Sequence, residues 1–287
     1  MKFNIVVVAC FMLCMQAFAQ NTKTEEVVVP LTKANEAGTL VVNLINGSIK
    51  VTGTTGKEVV VKATAGTIAN RTKGTQTREV IVETGPERNR TKKEETNGLR
   101  RIPNDGLNLT VTEQNNTVRV ENESVSRSVD LEIQVPKNFN LRLSTVNRGD
   151  ILISNVKGTF ELENVNGDIV LENVSGSAMA NTTNGKVKAN FLDWNSKNPM
   201  AFSTLNGNVD VTLPANAKFD VKLDSDRGQI YSDFDINAVA AKREAGKRSE
   251  SGVYKVTLAD AVTGQVNGGG SEIMMKNMNG NIYLRKK

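Results

Sequence analysis

Acid–base chemistry in this chain falls to carboxylates, because histidine is absent and the only two cysteines, Cys10 and Cys14, lie close to the start. Pairs of Asp and Glu run glycosidases, one donating a proton while the other acts as nucleophile or base. The candidates by spacing are Glu161 and Glu163 with Glu172, and the group Asp224, Asp226, Asp233 and Asp235. The second group offers oxygen ligands of the kind a hard cation takes, but the chain holds only Asn-Gly-Asp fragments of the calcium-binding nonapeptide repeat. Composition rules out Ser-His and Cys-His nucleophile systems and the usual neutral-pH proton shuttle. A second cluster is basic: Arg88, Arg90, Lys92, Lys93, Arg100 and Arg101. It reads as an interaction surface. Arg148-Gly149-Asp150 spells an integrin-binding tripeptide, yet it fills the same turn slot as Asn166-Gly167-Asp168, so the turn alone accounts for it.

The elements that position these groups are short strands. From Asn147 the chain reads NRGDILISNVK, GTFELENVN, GDIVLENVS, GSAMANTTN, GKVKANF, with glycines at 149, 158, 167, 176 and 185. Between glycines the apolar residues alternate (Ile151/Ile153, Phe160/Leu162, Ile169/Leu171), the pattern of strands with one buried face. Nine residues make one strand and one turn, so eighteen return the chain to its starting azimuth. A self-similar period of this kind predicts a solenoid in which each coil buries its inner face on its neighbours. In that frame Glu161 and Glu163 flank the inward Leu162, and Glu172 follows the inward Leu171, so all three point to solvent. The asparagines ahead of the turn glycines, Asn166, Asn184, Asn206 and Asn279, are placed to stack as a ladder.

The same alternation appears at Thr39–Ile45, Ser48–Val51 and Glu58–Ala63, resumes at Leu107–Val111, and continues to Ile282–Leu284. Two stretches break it. Gly66 to Gly106 is polar, with nine basic and six acidic residues, and reads as an insertion on the surface; Ala238 to Ser251 is a second, charged insertion with room for a turn or two of helix. Val135-Pro136-Lys137-Asn138-Phe139 and Leu213-Pro214 to Phe219 look like one corner used twice. The basic Arg285, Lys286 and Lys287 follow the last strand, where they would blunt an exposed end. The fold expected is all-β: a mostly parallel β-solenoid of roughly ten coils, on the order of 50 Å long, with an antiparallel β-sandwich as the alternative.

Lys2, the apolar run Ile5–Met15 and Ala17-Phe18-Ala19 form a secretory signal over residues 1–19, leaving a single domain from Gln20 to Lys287. Val7-Val8-Ala9-Cys10 also fits a lipobox, although few apolar residues precede Cys10. No later segment is apolar enough to span a bilayer. The expected address is the periplasm, the cell surface or the medium. The net charge of +5 is spread over most of the chain and has no aromatic stacking surface beside it, so a nucleic-acid partner is not expected. Aromatics are only 5% of residues, with one tryptophan, Trp194, which weakens any claim of strong sugar binding.

The repeat V-N-G-D-I-x-L-x-N-V-x-G, the segment Asn198 to Val209 and the following Leu213-Pro214 resemble the putative adhesin domain of bacterial envelope proteins, common in Bacteroidetes. The likeness runs from about Leu40 to Leu284. It implies a β-solenoid and carries over no catalytic or binding residue. The function expected is a non-enzymatic exported envelope protein, adhesin-like or scaffolding, that binds a surface polysaccharide or protein and needs no cofactor or metal. The alternative is a polysaccharide lyase or hydrolase on the same scaffold.

Overall fold

The structure, a computed structural model, describes residues 24–66, 107–122, 127–147, 149–194, 197–238, 247–248, 254–255 and 261–287. Three sequence-predicted features lie outside them: the signal at 1–19, the basic insertion after Gly66, and most of the charged insertion at 238–251. The strands, in chain order, are β1 (Thr24–Pro30), β2 (Gly38–Asn46), β3 (Ile49–Thr54), β4 (Glu58–Ala65), β5 (Leu109–Gln114), β6 (Thr117–Asn122), β7 (Val129–Pro136) and β8 (Phe139–Asn147). They continue as β9 (Ile151–Ser154), β10 (Lys157–Asn166), β11 (Ile169–Asn184), β12 (Val187–Trp194), β13 (Met200–Asn206), β14 (Val209–Leu213) and β15 (Phe219–Ser225). The last are β16 (Ile230–Ser232), β17 (Asn237–Ala238), β18 (Lys247–Arg248), β19 (Tyr254–Lys255), β20 (Val262–Val266), β21 (Glu272–Asn279) and β22 (Ile282–Lys286).

Side-chain alternation builds these strands. In β10, Phe160, Leu162 and Asn164 are buried while Glu161, Glu163 and Val165 are exposed; in β8, Phe139, Leu141, Leu143 and Thr145 are buried around an exposed Arg142. Apart from β18 and β19, which pair with each other, the strands form one mixed, mostly parallel sheet of twenty. It wraps into two faces around a single apolar core. The first face runs β5, β6, β2, β8, β10, the second half of β11, β13, β21, β15, β20, β17. The second runs β1, β4, β7, β3, β9, the first half of β11, β12, β14, β22, β16.

Each coil is a first-face strand followed by a second-face strand. Within the regular repeat the partner of Phe160 is Ala178, eighteen residues on, as the glycine spacing predicts. The two proline corners are indeed alike: β7 leads into β8 and β14 into β15, each time crossing from the second face to the first and delivering a fully buried Phe139 or Phe219. Phe160, Phe191 and Phe202 are also fully buried, and Phe191 meets Phe202 edge to face at 6.3 Å. Each such side chain contributes about 1.5–3 kcal/mol by leaving water.

The coils do not stack in chain order, and the described residues hold eight rather than ten. β2–β3 sits between β6–β7 and β8–β9. β21–β22 sits between β13–β14 and β15–β16. Arg285, Lys286 and Lys287 therefore do not cap an end: the first two belong to β22, that strand is interior, and Lys287 N donates to Leu213 O at 2.9 Å. Inward and outward alternation is the same for every coil, so it says nothing about which coil is whose neighbour. Both jumps follow the stretches where the repeat lapses, Gly66 to Gly106 ahead of β5 and Ala238 to Ser251 ahead of β20. Antiparallel strands close the ends instead, with β5 on β6, β4 on β7 and β1 on β4, and β20 on β15.

Replacing the fully buried Ile169 by Asp should cost more than about 4 kcal/mol, enough to unfold the adjoining coils. Glu172→Ala, one turn of the alternation away and exposed, should stay within about 0.5 kcal/mol of wild type. Thermal unfolding followed by circular dichroism gives both values, and the opposite order would refute the facing assigned to these residues.

Candidate functional site

Three ladders run along one corner of the stack and link neighbouring coils. Outermost, Asn166 Nδ2 donates to Asn147 Oδ1 (3.3 Å), Asn184 to Asn166 (2.9 Å), Asn206 to Asn184 (2.7 Å) and Asn279 to Asn206 (2.8 Å). This is the asparagine ladder that the turn spacing predicts. Beneath it, an Asp or Asn after four of the turn glycines caps the next coil: Asp150 Oδ1 accepts from Asp168 N, Asp168 from Lys186 N, Asn208 from Asn281 N and Asn281 from Gln229 N, all at 2.8–2.9 Å. Asp150 of the integrin-like tripeptide is thus engaged in the turn, and Arg148 lies outside the described residues.

The third ladder faces inward and has no obvious sequence signature. Thr145 Oγ1 donates to Gly47 O, Asn164 Nδ2 to Gly149 O, Thr182 Oγ1 to Gly167 O, Thr204 Oγ1 to Gly185 O and Asn277 Nδ2 to Gly207 O, at 2.8–3.2 Å. Each bond satisfies a turn carbonyl that would otherwise be orphaned. Asparagine is the imperfect member of the set, since Asn164 and Asn277 each leave a buried Oδ1 without a partner among the described residues.

This corner aligns the outward residues of the first face into rows. One row carries Ser144, Glu163, Asn181, Ser203, Lys276 and Asp224 on β8, β10, β11, β13, β21 and β15. Two residues further along the same strands a second row carries Val146, Val165, Thr183, Leu205 and Met278, with Ile45 on β2. Its apolar members are each about two-fifths exposed. Between them lies a shallow groove of about 650 Å³, lined by Ser144, Val165, Asn181, Ser203, Leu205 and Met278 among others. A second depression of about 350 Å³ shares Ser144, Glu163 and Asn181 with it and extends the path to Arg142 and Val41. Hydroxyl, carboxylate, amide and ammonium groups thus follow one another one strand apart, about 4.8 Å, along an apolar shelf.

The carboxylates singled out by spacing do not converge. Glu161 pairs with Arg142 at 3.0 Å, Asp224 with Lys276 at 3.0 Å, and Glu172 points to solvent on the opposite face. The hydrogen bond and charge of Asp224 hold the Lys276 ammonium above the usual lysine range. Among the described residues no three acidic side chains come together as a metal site. Arg88, Arg90, Lys92, Lys93, Arg100 and Arg101 lie outside the described residues.

Aromatic residues are placed otherwise than their scarcity suggests. Trp194 packs edge to face on Phe219 at 5.8 Å, against the core. Tyr231 and Tyr283, far apart in the chain, stack in register on the second face with ring centroids 5.2 Å apart and planes 9° from parallel. Arg285, held by Asp210 at 2.8 Å, lies over the Tyr283 ring. Only the intercalation of β21–β22 brings these tyrosines together, so spacing could not find them.

A two-faced, all-β stack of short strands with repeating corners defines the class of domain. The Toastrack DUF4097 family model matches residues 8–267, and the chain belongs to that family. A crystal structure of a putative cell adhesion protein from Clostridium sporogenes is similar, with a TM-score of 0.44 and 12% identity over 93% of this chain and 100% of that one. No curated protein matches the sequence.

The inward ladder makes a direct prediction. Asn164→Thr, which copies Thr145 and Thr182 on either side, should keep the bond to Gly149 O and remove the orphaned Oδ1. An unpaired buried acceptor costs about 1–3 kcal/mol, so the variant should be at least as stable as wild type by chemical denaturation, whereas Asn164→Val, which loses the bond as well, should be less stable.

Proposed function

We propose that this is a non-enzymatic, exported envelope protein, a β-solenoid that acts as an adhesin-like or scaffolding surface for an extended polymer. The observation that carries the reading is the groove of the first face. Its polar positions recur by translation from coil to coil, carrying different groups at successive steps, instead of converging on one point. Catalysis needs a nucleophile, a proton donor and a charge-stabilising group aimed at a single reacting atom, whereas a line of evenly spaced polar groups suits an extended ligand. Val146, Val165, Leu205 and Met278 supply apolar contact along the same line, and Glu163, Asn181, Ser203 and Lys276 supply direction. The signal-like residues 1–19 support export, and the basic residues from Arg88 to Arg101 offer a further contact surface.

The test is binding of the processed chain, Gln20 to Lys287, to an array of linear bacterial surface polysaccharides and to envelope extract. The double variant Val165→Glu with Leu205→Glu alters only exposed positions, so its melting temperature should stay close to wild type while binding falls at least tenfold. Equal binding by the variant, or release of new sugar ends from any polysaccharide on incubation, would contradict the proposal.

A further inference from the structure

We propose that the end of the second face carries a separate subsite for a neutral pyranose, built on the open ring of Tyr231. The stack there has a beginning and an end. It starts with the Asp210 carboxylate, which holds Arg285 Nε at 2.8 Å; the guanidinium carbon of Arg285 lies 5.0 Å from the Tyr283 centroid; and the Tyr283 ring lies on that of Tyr231. Tyr283 is fixed further by Asn281, whose Nδ2 donates to the phenolic oxygen at 3.0 Å. Tyr231 is the last member. Its strand, β16, pairs with β22 and with no other described strand, its side chain is 51% exposed, and its hydroxyl has no partner among the described residues.

An aromatic pair serving only to stack coils would gain most by burying both rings. This pair instead presents one ring, rigid because the other is clamped, with little ordering left to do on binding. The C–H face of a pyranose is the partner such a ring takes: apolar at its centre and rimmed by hydroxyls. Hydroxyl partners are in place beside it. Gln229 and Asp233 flank the three-residue β16, two positions before and after Tyr231, and both are exposed. The Gln229 amide offers donors and an acceptor. Asp233 uses Oδ2 for Lys286 N at 3.4 Å, which orients its carboxylate. Because Asp210 neutralises Arg285 and Asp233 adds a negative charge, the subsite favours a neutral sugar over an acidic one.

The experiment is NMR titration of the processed chain with maltohexaose, cellohexaose and mannohexaose, following the Tyr231 ring resonances. At least one of the three should shift those resonances saturably. Tyr231→Ala should weaken that binding at least tenfold, Tyr231→Phe and Tyr231→Trp should retain it, and Asp233→Asn should weaken it. The edge position of Tyr231 leaves the fold intact, which unchanged melting of Tyr231→Phe will register. The Val165→Glu, Leu205→Glu variant should bind the sugar as wild type does, so this subsite and the first-face groove stand or fall separately. No shift with any of the three sugars, or unchanged binding by Tyr231→Ala, overturns the proposal. So does concentration-dependent self-association lost in Tyr231→Ala, which would mean that the ring stacks on a second copy.

Discussion

A missing Cβ governs this fold. At the corner between the two faces the carbonyl oxygen of one glycine lies where the next coil's Cβ would be: Gly149 over Gly47, Gly167 over Gly149, Gly185 over Gly167, Gly207 over Gly185, Gly280 over Gly207 and Gly228 over Gly280. Positive φ is not the common requirement. Gly47, Gly207 and Gly280 have φ of +131°, +155° and +143°, but Gly149, Gly167 and Gly185 do not share that conformation. What all of them need is close approach of backbone to backbone. Once the coils come this near, the carbonyls are within reach of the inward Thr and Asn side chains, and the outer asparagines reach one another.

Register follows from that corner, and surface chemistry follows from register. Strands stacked in parallel at one spacing turn a sequence repeat into a row of like positions on the outer face. A row has no focus, so it is suited to a chain-like ligand. Where the row stops, its last side chain keeps a face that every earlier member has buried, as Tyr231 does beyond Tyr283. Repetition and termination thus provide two kinds of surface on one scaffold.

Much of this is legible in the residues themselves, and the limits have physical causes. The strands of the regular repeat, the eighteen-residue coil and the asparagine ladder all follow from local pattern, because burial alternates with the backbone and turns need glycine. Val156, Val165 and Val174 read alike, yet Val156 and Val174 are buried and Val165 is 38% exposed. Nine residues advance the chain by half a coil, so alternate valines sit at different corners. The edge strand β1 escapes a pattern search because little of it reaches the core: only Val29 is buried. The order of the coils is a matter of long-range pairing, to which alternation is blind. For that reason the interior place of β21–β22, and the tyrosine stack it creates, emerge only in three dimensions. The basic cluster from Arg88 to Arg101 lies outside the described residues.

The central claim is that coil stacking rests on backbone contact at the glycine corner. The measurement that tests it most directly is the stability of Gly167→Ala against that of Gly56→Ala. At Gly167 an added Cβ meets the Gly149 carbonyl and the Asn164 amide, whereas at Gly56 it meets only Thr54 Oγ1 at 3.2 Å. The account predicts a loss of about 3 kcal/mol or more in the first variant, in the range of overpacking and lost buried hydrogen bonds, and little change in the second. Equal stability of the two would contradict it.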